Sequence, residues 1–235
     1  NGLCTALLSE RPHPQALSMK ANAASYKPAL RWNNLTQFYD RVMAMTMREK
    51  HIRTLLLEPI RHEQPQYVLD VGCGTGTQAL LLHKYFPQAS IFGLDGDETA
   101  LRIANEKQAV EGGPIVFERG LSTAIPHPDA SMDIITCSLL FHHLSDMDKR
   151  QSIAEIHRVL TVEGTLMLLD WGKPANKVMR LLFYGLQLFD GFETTKANVQ
   201  GRIPSLLFEG GFRQITETAQ VNTLFGTLVI YHVKL

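Results

Sequence analysis

The chain has 235 residues, 45% hydrophobic and 20% charged, an ordinary globular balance for one α/β domain with extra helix. Lys plus Arg equals Asp plus Glu at 23 each, which excludes a global pull towards nucleic acid or an anionic membrane, though not a local patch. The three cysteines (Cys4, Cys73, Cys137) make neither a disulfide framework nor a zinc spacing, which fits a reducing, cytoplasmic setting, and no run reaches the ~18 apolar residues that span a bilayer.

The chain opens at Asn1 rather than Met, which leaves a start upstream of it open. Thr5-Ala-Leu-Leu lacks a basic flank and soon meets Glu10-Arg11-Pro12, a poor secretory signal. Residues 1 to 28, with Pro12, Pro14 and Pro28, read as a loose arm, and Leu30 to Leu57 as helical from the spacing of Phe38, Val42, Met45 and Ile52. From Tyr67 the pattern alternates. Strands are expected at Tyr67 to Val71, Ser90 to Leu94, Ile115 to Glu118, Asp133 to Ser138 and Gly164 to Asp170. Helices are expected at Thr77 to Phe86, Glu98 to Val110 and Asp146 to Leu160. Such alternation argues for a doubly wound, Rossmann-like parallel sheet covered on both faces. Pro174 to Asp190 and Pro204 to Glu209 read as further helices. Arg213 to Val221 and Phe225 to Val233 read as an antiparallel pair closing the sheet. The expected organisation is an arm and helical cover at 1–60, then a binding domain at 61–235 with a helical insertion at about 174–210.

The chemistry concentrates at "VLDVGCGTG", residues 68–76, where Gly72, Gly74 and Gly76 stand between a strand and a helix. That turn lies at the carboxyl end of a sheet, where ligands bind and the backbone can approach them closely. The nicotinamide fingerprint is G-x-G-x-x-G, whereas this loop is G-x-G-x-G with Asp70 two residues before it. An acid beside the loop repels a pyrophosphate and suits a cationic group, such as the ammonium or sulfonium of S-adenosylmethionine. Strand two ends "IFGLDGD": Asp95 is placed to accept the hydroxyls of an unphosphorylated ribose, Gly96 to let the backbone pass the nucleoside, and Asp97 to cap the next helix.

"VLDVGCGTG", "FGLDGDETAL", "GLSTAIPHPDASMDIITCSLLFHHL" and "EIHRVLTVEGTLMLLDWG" together resemble the consecutive motifs of class I S-adenosylmethionine-dependent methyltransferases, nearest to the bacterial small-molecule group related to quinone C-methyltransferases. The resemblance covers residues 67–172, and "DGFETTKANVQGRIPSLLFEGGF" resembles an uncharacterised branch of that group. It implies a seven-stranded sheet with the last strand antiparallel. It implies the cofactor's methionine end on Gly72, Cys73, Gly74 and Gly76, assisted by Asp70, and the ribose on Asp95. It implies the adenine near Gly96, Leu121 and Ser122, and the ammonium near the carbonyls of Cys137 and Ser138. Leu121 stands where the family commonly has an acid that reads the adenine amino group.

His142 and His143 follow strand four at the binding edge, and each could either face a methyl acceptor or stabilise the turn. His143, then His142, is the candidate to orient or deprotonate an acceptor. Tyr39, Trp171 and Tyr184 are candidate walls of an apolar, partly aromatic acceptor pocket, each with core packing as the alternative. No metal site is expected. The expected activity is methyl transfer from S-adenosylmethionine, leaving S-adenosylhomocysteine, to a small apolar or aromatic acceptor. A catalytically silent S-adenosylmethionine-binding module and, against the glycine spacing, an NAD-dependent oxidoreductase are the alternatives.

Overall fold

The computed structural model of the protein describes residues 49–235. The expected arm, most of the first helix and Tyr39 lie outside the described residues.

The described chain opens with α1 (Glu49–Leu57), then β1 (Tyr67–Val71), α2 (Thr77–Tyr85), β2 (Ser90–Asp95), α3 (Glu98–Glu111) and β3 (Ile115–Arg119). It continues with β4 (Met132–Ser138), a 3₁₀ turn (Phe141–His143), α4 (Asp146–Val159) and β5 (Leu160–Trp171). It ends with α5 (Lys177–Asp190), α6 (Phe192–Val199), α7 (Ile203–Glu209), β6 (Gln214–Thr223) and β7 (Gly226–Lys234). The seven strands form one sheet in the order β3-β2-β1-β4-β5-β7-β6. β1 to β5 pair in parallel, and β7 lies antiparallel to both β5 and β6. Only β7 therefore runs against the rest, as expected.

Adjacent strand residues point to opposite faces, so a buried parallel strand must be apolar on both. Val68 joins the apolar layer containing Ile52 and Leu56 of α1, Leu80 and Leu82 of α2, and Phe183 of α5. Leu69, next in sequence, joins the opposite layer with Ile153 and Ile156 of α4, Ala197 of α6 and Leu206 of α7. The chain steps outward from β1 through β2 to β3, then returns across β1 to β4 and β5. That reversal between β1 and β4 opens a crevice at their carboxyl ends, the place where open α/β sheets bind ligands.

Helix starts follow local chemistry. Asp97 caps α3 by accepting from the N–H groups of Thr99 and Ala100 at 2.8 and 3.3 Å, its expected role. α5 starts at Lys177 rather than Pro174 because Asn176 is its cap, accepting from Met179 N–H at 2.9 Å. α6 falls in a stretch with no helix expected.

Candidate active site

The three loop glycines all adopt left-handed backbone, with φ of +72° at Gly72, +51° at Gly74 and +77° at Gly76. Their surroundings differ. A Cβ on Gly76 would stand 2.8 Å from Ala104 Cβ and Phe117 Cζ, so this glycine lets α2 seat against α3 and β3. A Cβ on Gly74 would meet nothing within 4 Å. Gly74 therefore faces open space, as a ligand-facing backbone must.

The loop's N–H groups are largely committed inside the protein. Gly72 and Cys73 both donate to the Leu94 carbonyl, at 2.8 and 3.1 Å, and Gly76 donates to the Cys73 carbonyl at 2.9 Å. Gly74 donates to Asp95 Oδ2 at 2.8 Å. A pyrophosphate cradle needs such donors aimed outward. This loop offers close approach instead, next to a carboxylate.

Asp70, near the end of β1, is 1% exposed. Its Oδ1 accepts from Thr136 Oγ1 at 2.6 Å, while Oδ2 has no hydrogen-bond partner among the described residues. Burial pushes its carboxyl up to about 7, with the Thr136 hydrogen bond and the Arg53 charge opposing. An unpartnered, buried acid at a sheet switch point is a place a cationic group satisfies. Asp95 also binds the Asp97 N–H at 2.8 Å through Oδ1, and burial raises its carboxyl too. Each of its oxygens keeps a second acceptor position for a hydroxyl. The residues present thus fit a nucleoside that carries a cation.

The other expected contacts line the same edge. Leu121 makes a bridge with Ala124, and Ser122 Oγ lies 2.8 Å from Ser152 Oγ of α4. Cys137 and Ser138 pair with Leu168 and Leu169 of β5, and Ser138 Oγ is buried without a partner among the described residues. Burial pushes the thiols of Cys73 and Cys137 up, which keeps them protonated and unreactive. Leu139, directly after Ser138, sits at φ +55°, a strained backbone for leucine at the crevice edge.

Asp170, at the end of β5, organises the 3₁₀ turn. Its Oδ2 accepts from the N–H groups of Phe141 and His142 at 2.7 and 3.3 Å. Its Oδ1 accepts from Trp171 N–H at 2.7 Å and Asn198 Nδ2 at 3.1 Å, and lies 2.9 Å from His142 Nδ1. The two histidines are set apart by this carboxylate. The carboxylate engages His142, while burial, with His142 and Lys149 nearby, pushes His143 down to about 2. The His143 ring lies 3.9 Å from that of His142 and is half-buried, whereas His142 is 2% exposed. Lys149 Nζ donates to the carbonyls of Leu144 and Thr194, 2.6 Å each, tying the end of this turn to α6.

Two expected pocket walls are corrected. Trp171 is 1% exposed and packs edge-on against His142 and Phe183, with ring centres 6.4 and 5.6 Å away, so it is core beneath the site. Tyr184 is exposed on the outside of α5, with the Arg180 guanidinium 3.8 Å over its ring. Asn198, Lys149 and Thr136 were missed, and Asp170, expected at the binding edge, had been given no role; no local pattern marks Asn198 in its small, polar stretch.

Residues 68–164 match the sequence profile of a methyltransferase domain. Over that stretch the chain is similar to methyltransferases. A demethylmenaquinone methyltransferase of Deinococcus radiodurans is 35% identical to it over 144 residues, 61% of this chain and 58% of that one. The uncharacterised methyltransferase YcgJ of Bacillus subtilis is 34% identical over 115 residues, 48% of this chain and 43% of that one. The chain spans about half the length of the curated relatives it matches. The crystal structure of YcgJ superposes with a TM-score of 0.56 at 20% identity, covering 79% of this chain and 98% of that one. A SAM-dependent methyltransferase from Aquifex aeolicus superposes with a TM-score of 0.59 at 21% identity, covering 82% and 92%. The domain's match begins at Val68, the first residue of the glycine-loop motif, and runs past the His142 turn.

Proposed function

We propose that the protein is an S-adenosylmethionine-dependent methyltransferase acting on a small, apolar or aromatic acceptor. The observation that carries this reading is Asp70. Its buried, unpartnered oxygen stands beside a glycine loop whose Gly72, Cys73, Gly74 and Gly76 N–H groups are already used, which suits a cationic nucleoside and opposes a dinucleotide. When bound, S-adenosylmethionine supplies a methyl group activated on its sulfonium for direct in-line displacement. Asp70 holds the cationic methionine end with Gly72 to Gly76, and Asp95 accepts the ribose hydroxyls. Gly96, Leu121 and Ser122 line the adenine side, and the carbonyls of Cys137 and Ser138 lie on the ammonium side.

Of the two histidines, His142 is the proposed base. In the proposed tautomer Nδ1–H donates to Asp170 Oδ1, which makes Nε2 the basic nitrogen for a proton released by a phenol or an acidic carbon. Asn198 and the turn's own N–H groups keep Asp170 in place. His143 orients rather than deprotonates. The similarity to demethylmenaquinone methyltransferases supports a quinone-type acceptor. Of the range 1–60 expected as a cover, α1 packs into the apolar layer of the sheet, so the cover of the acceptor site is proposed for the residues before α1.

Calorimetric titration tests the cofactor reading. S-adenosylhomocysteine should bind and NAD should not, and the reverse would overturn the reading. Incubation with methyl-labelled cofactor and metabolite extract then reads out the acceptor. Cofactor binding with no labelled product from any extract would favour a silent binding module.

A further inference from the structure

Helix α5 is inverted in character. Its inward residues Phe183 and Gln187 are buried, whereas its outward side carries Val178, Leu181, Leu182, Tyr184 and Leu188. Leu181 is 69% and Leu188 76% exposed, and Phe192 of α6 extends the patch through its ring contact with Tyr184, 6.5 Å between centres. A surface helix normally turns polar residues outward. A contiguous outward apolar face marks a surface that something covers.

The charges around it identify the occupant. From Gly172 to Phe189 the chain carries Lys173, Lys177 and Arg180 and no acidic residue, and the acids Asp190 and Glu193 lie only at the far end, beside Phe192. Lys173 and Lys177 are exposed, and Arg180 lies over the Tyr184 ring. Aliphatic side chains facing outward, a tyrosine at their border and flanking cations are the chemistry of a helix lying in the headgroup layer of an anionic bilayer. The length agrees, because no helix among the described residues is long and apolar enough to cross a membrane. Phe183 anchors α5 to Trp171, and Trp171 packs on His142, so the patch lies two side chains from the proposed base.

We propose that the outward face of α5 docks the protein on an anionic lipid surface, with Val178, Leu181 and Leu188 inserted and Lys173 and Lys177 on the headgroups. This goes beyond the methyl-transfer reading, and it is tested without cofactor. The full chain is sedimented with vesicles of phosphatidylcholine alone or of equimolar phosphatidylcholine and phosphatidylglycerol. Binding to the anionic vesicles should dominate and weaken as salt is raised. Leu181→Glu with Leu188→Glu should lower binding about tenfold or more while the melting temperature holds, because both residues are exposed. Lys173→Gln with Lys177→Gln leaves the apolar face intact and should erase the preference for anionic lipid. Absence of wild-type binding to either vesicle, or unchanged binding by the leucine variant, would overturn the proposal. So would a wild-type dimer in solution that the leucine variant dissociates, which would make a second copy the occupant.

Discussion

Asp70 and Asp95 are both buried acids at strand ends, yet they face different demands. Asp70 keeps one oxygen unpartnered and its carboxyl at about 7, so below that pH it is mostly protonated. A carboxyl raised in the fold above its ordinary 3.8 stabilises below that ordinary value, and the contribution is lost as pH rises towards about 7. A ligand ammonium beside Oδ2 favours the ionised form. S-adenosylhomocysteine binding about one pH unit below the folded value should therefore expel a proton, making the calorimetric enthalpy depend on the buffer's ionisation enthalpy. Asp70→Asn should bind more weakly and with no buffer dependence, and identical wild-type enthalpies in two buffers would remove the cation assignment. Asp95 already holds Gly74 N–H and Asp97 N–H, so its removal acts on the loop as well as the ligand. Asp95→Asn should cost roughly 1.5–3 kcal/mol of S-adenosylhomocysteine affinity, the range for hydrogen bonds to a charged group. Asp95→Ala should lose the same affinity and also lower the melting temperature by freeing the loop. Full affinity in both variants would put the ribose elsewhere.

At the joint between β1 and α2, the glycines separate folding from binding. Gly76→Ala pushes a methyl to 2.8 Å from Ala104 and Phe117 in left-handed backbone, so it should lower the melting temperature markedly and lose binding as a consequence. Gly74→Ala shares the backbone strain, on the order of 1 kcal/mol, but meets no neighbour. It should stay folded and still bind S-adenosylhomocysteine at least about tenfold more weakly, roughly 1.4 kcal/mol. Wild-type affinity in folded Gly74→Ala would show that no ligand lies over the loop. The spacing of three glycines was legible because a strand–turn–helix joint tolerates few other residues. Their division of labour was not, since it depends on Phe117 and Ala104, which lie 41 and 28 residues beyond Gly76. The 3₁₀ turn was legible as a binding edge but not in detail. Asp170, 28 residues after His142, chooses which ring it orients, and no local pattern announces that choice.

Across the whole molecule the alternation of strands and helices was readable because each parallel strand must be apolar on both faces. The antiparallel last strand followed from the resemblance and from the C-terminal pair of strand-like runs, whereas periodicity carries no strand order. α6 was missed because its buried residues Thr195, Ala197 and Asn198 are small or polar and give no apolar stripe. Buried polar groups away from the crevice were equally silent in the sequence, and His127 is the clearest. It lies past β3, 3% exposed, with its ring edge-on to Phe92, 5.1 Å between centres. Neither ring nitrogen has a hydrogen-bond partner among the described residues, and Glu118 Oε2 lies 3.5 Å from Nε2. Burial, with Arg158 nearby, pushes His127 down to about 4, while burial raises Glu118, so each partner favours its neutral form. A depressed folded value fixes the sign. Between 6.5 and about 4 the unfolded chain binds the proton and the folded chain does not, so this residue's contribution is present above 6.5 and lost as pH falls. His127→Phe removes the titration and fills the same space beside Phe92 with a ring that needs no partner. The variant should match or exceed wild-type stability at neutral pH, and its advantage should grow by about 1–2 kcal/mol on acidification towards the folded value. Urea unfolding of both proteins at several pH values measures that difference. A gap that stays constant with pH would mean that His127 finds its proton a place in the folded chain.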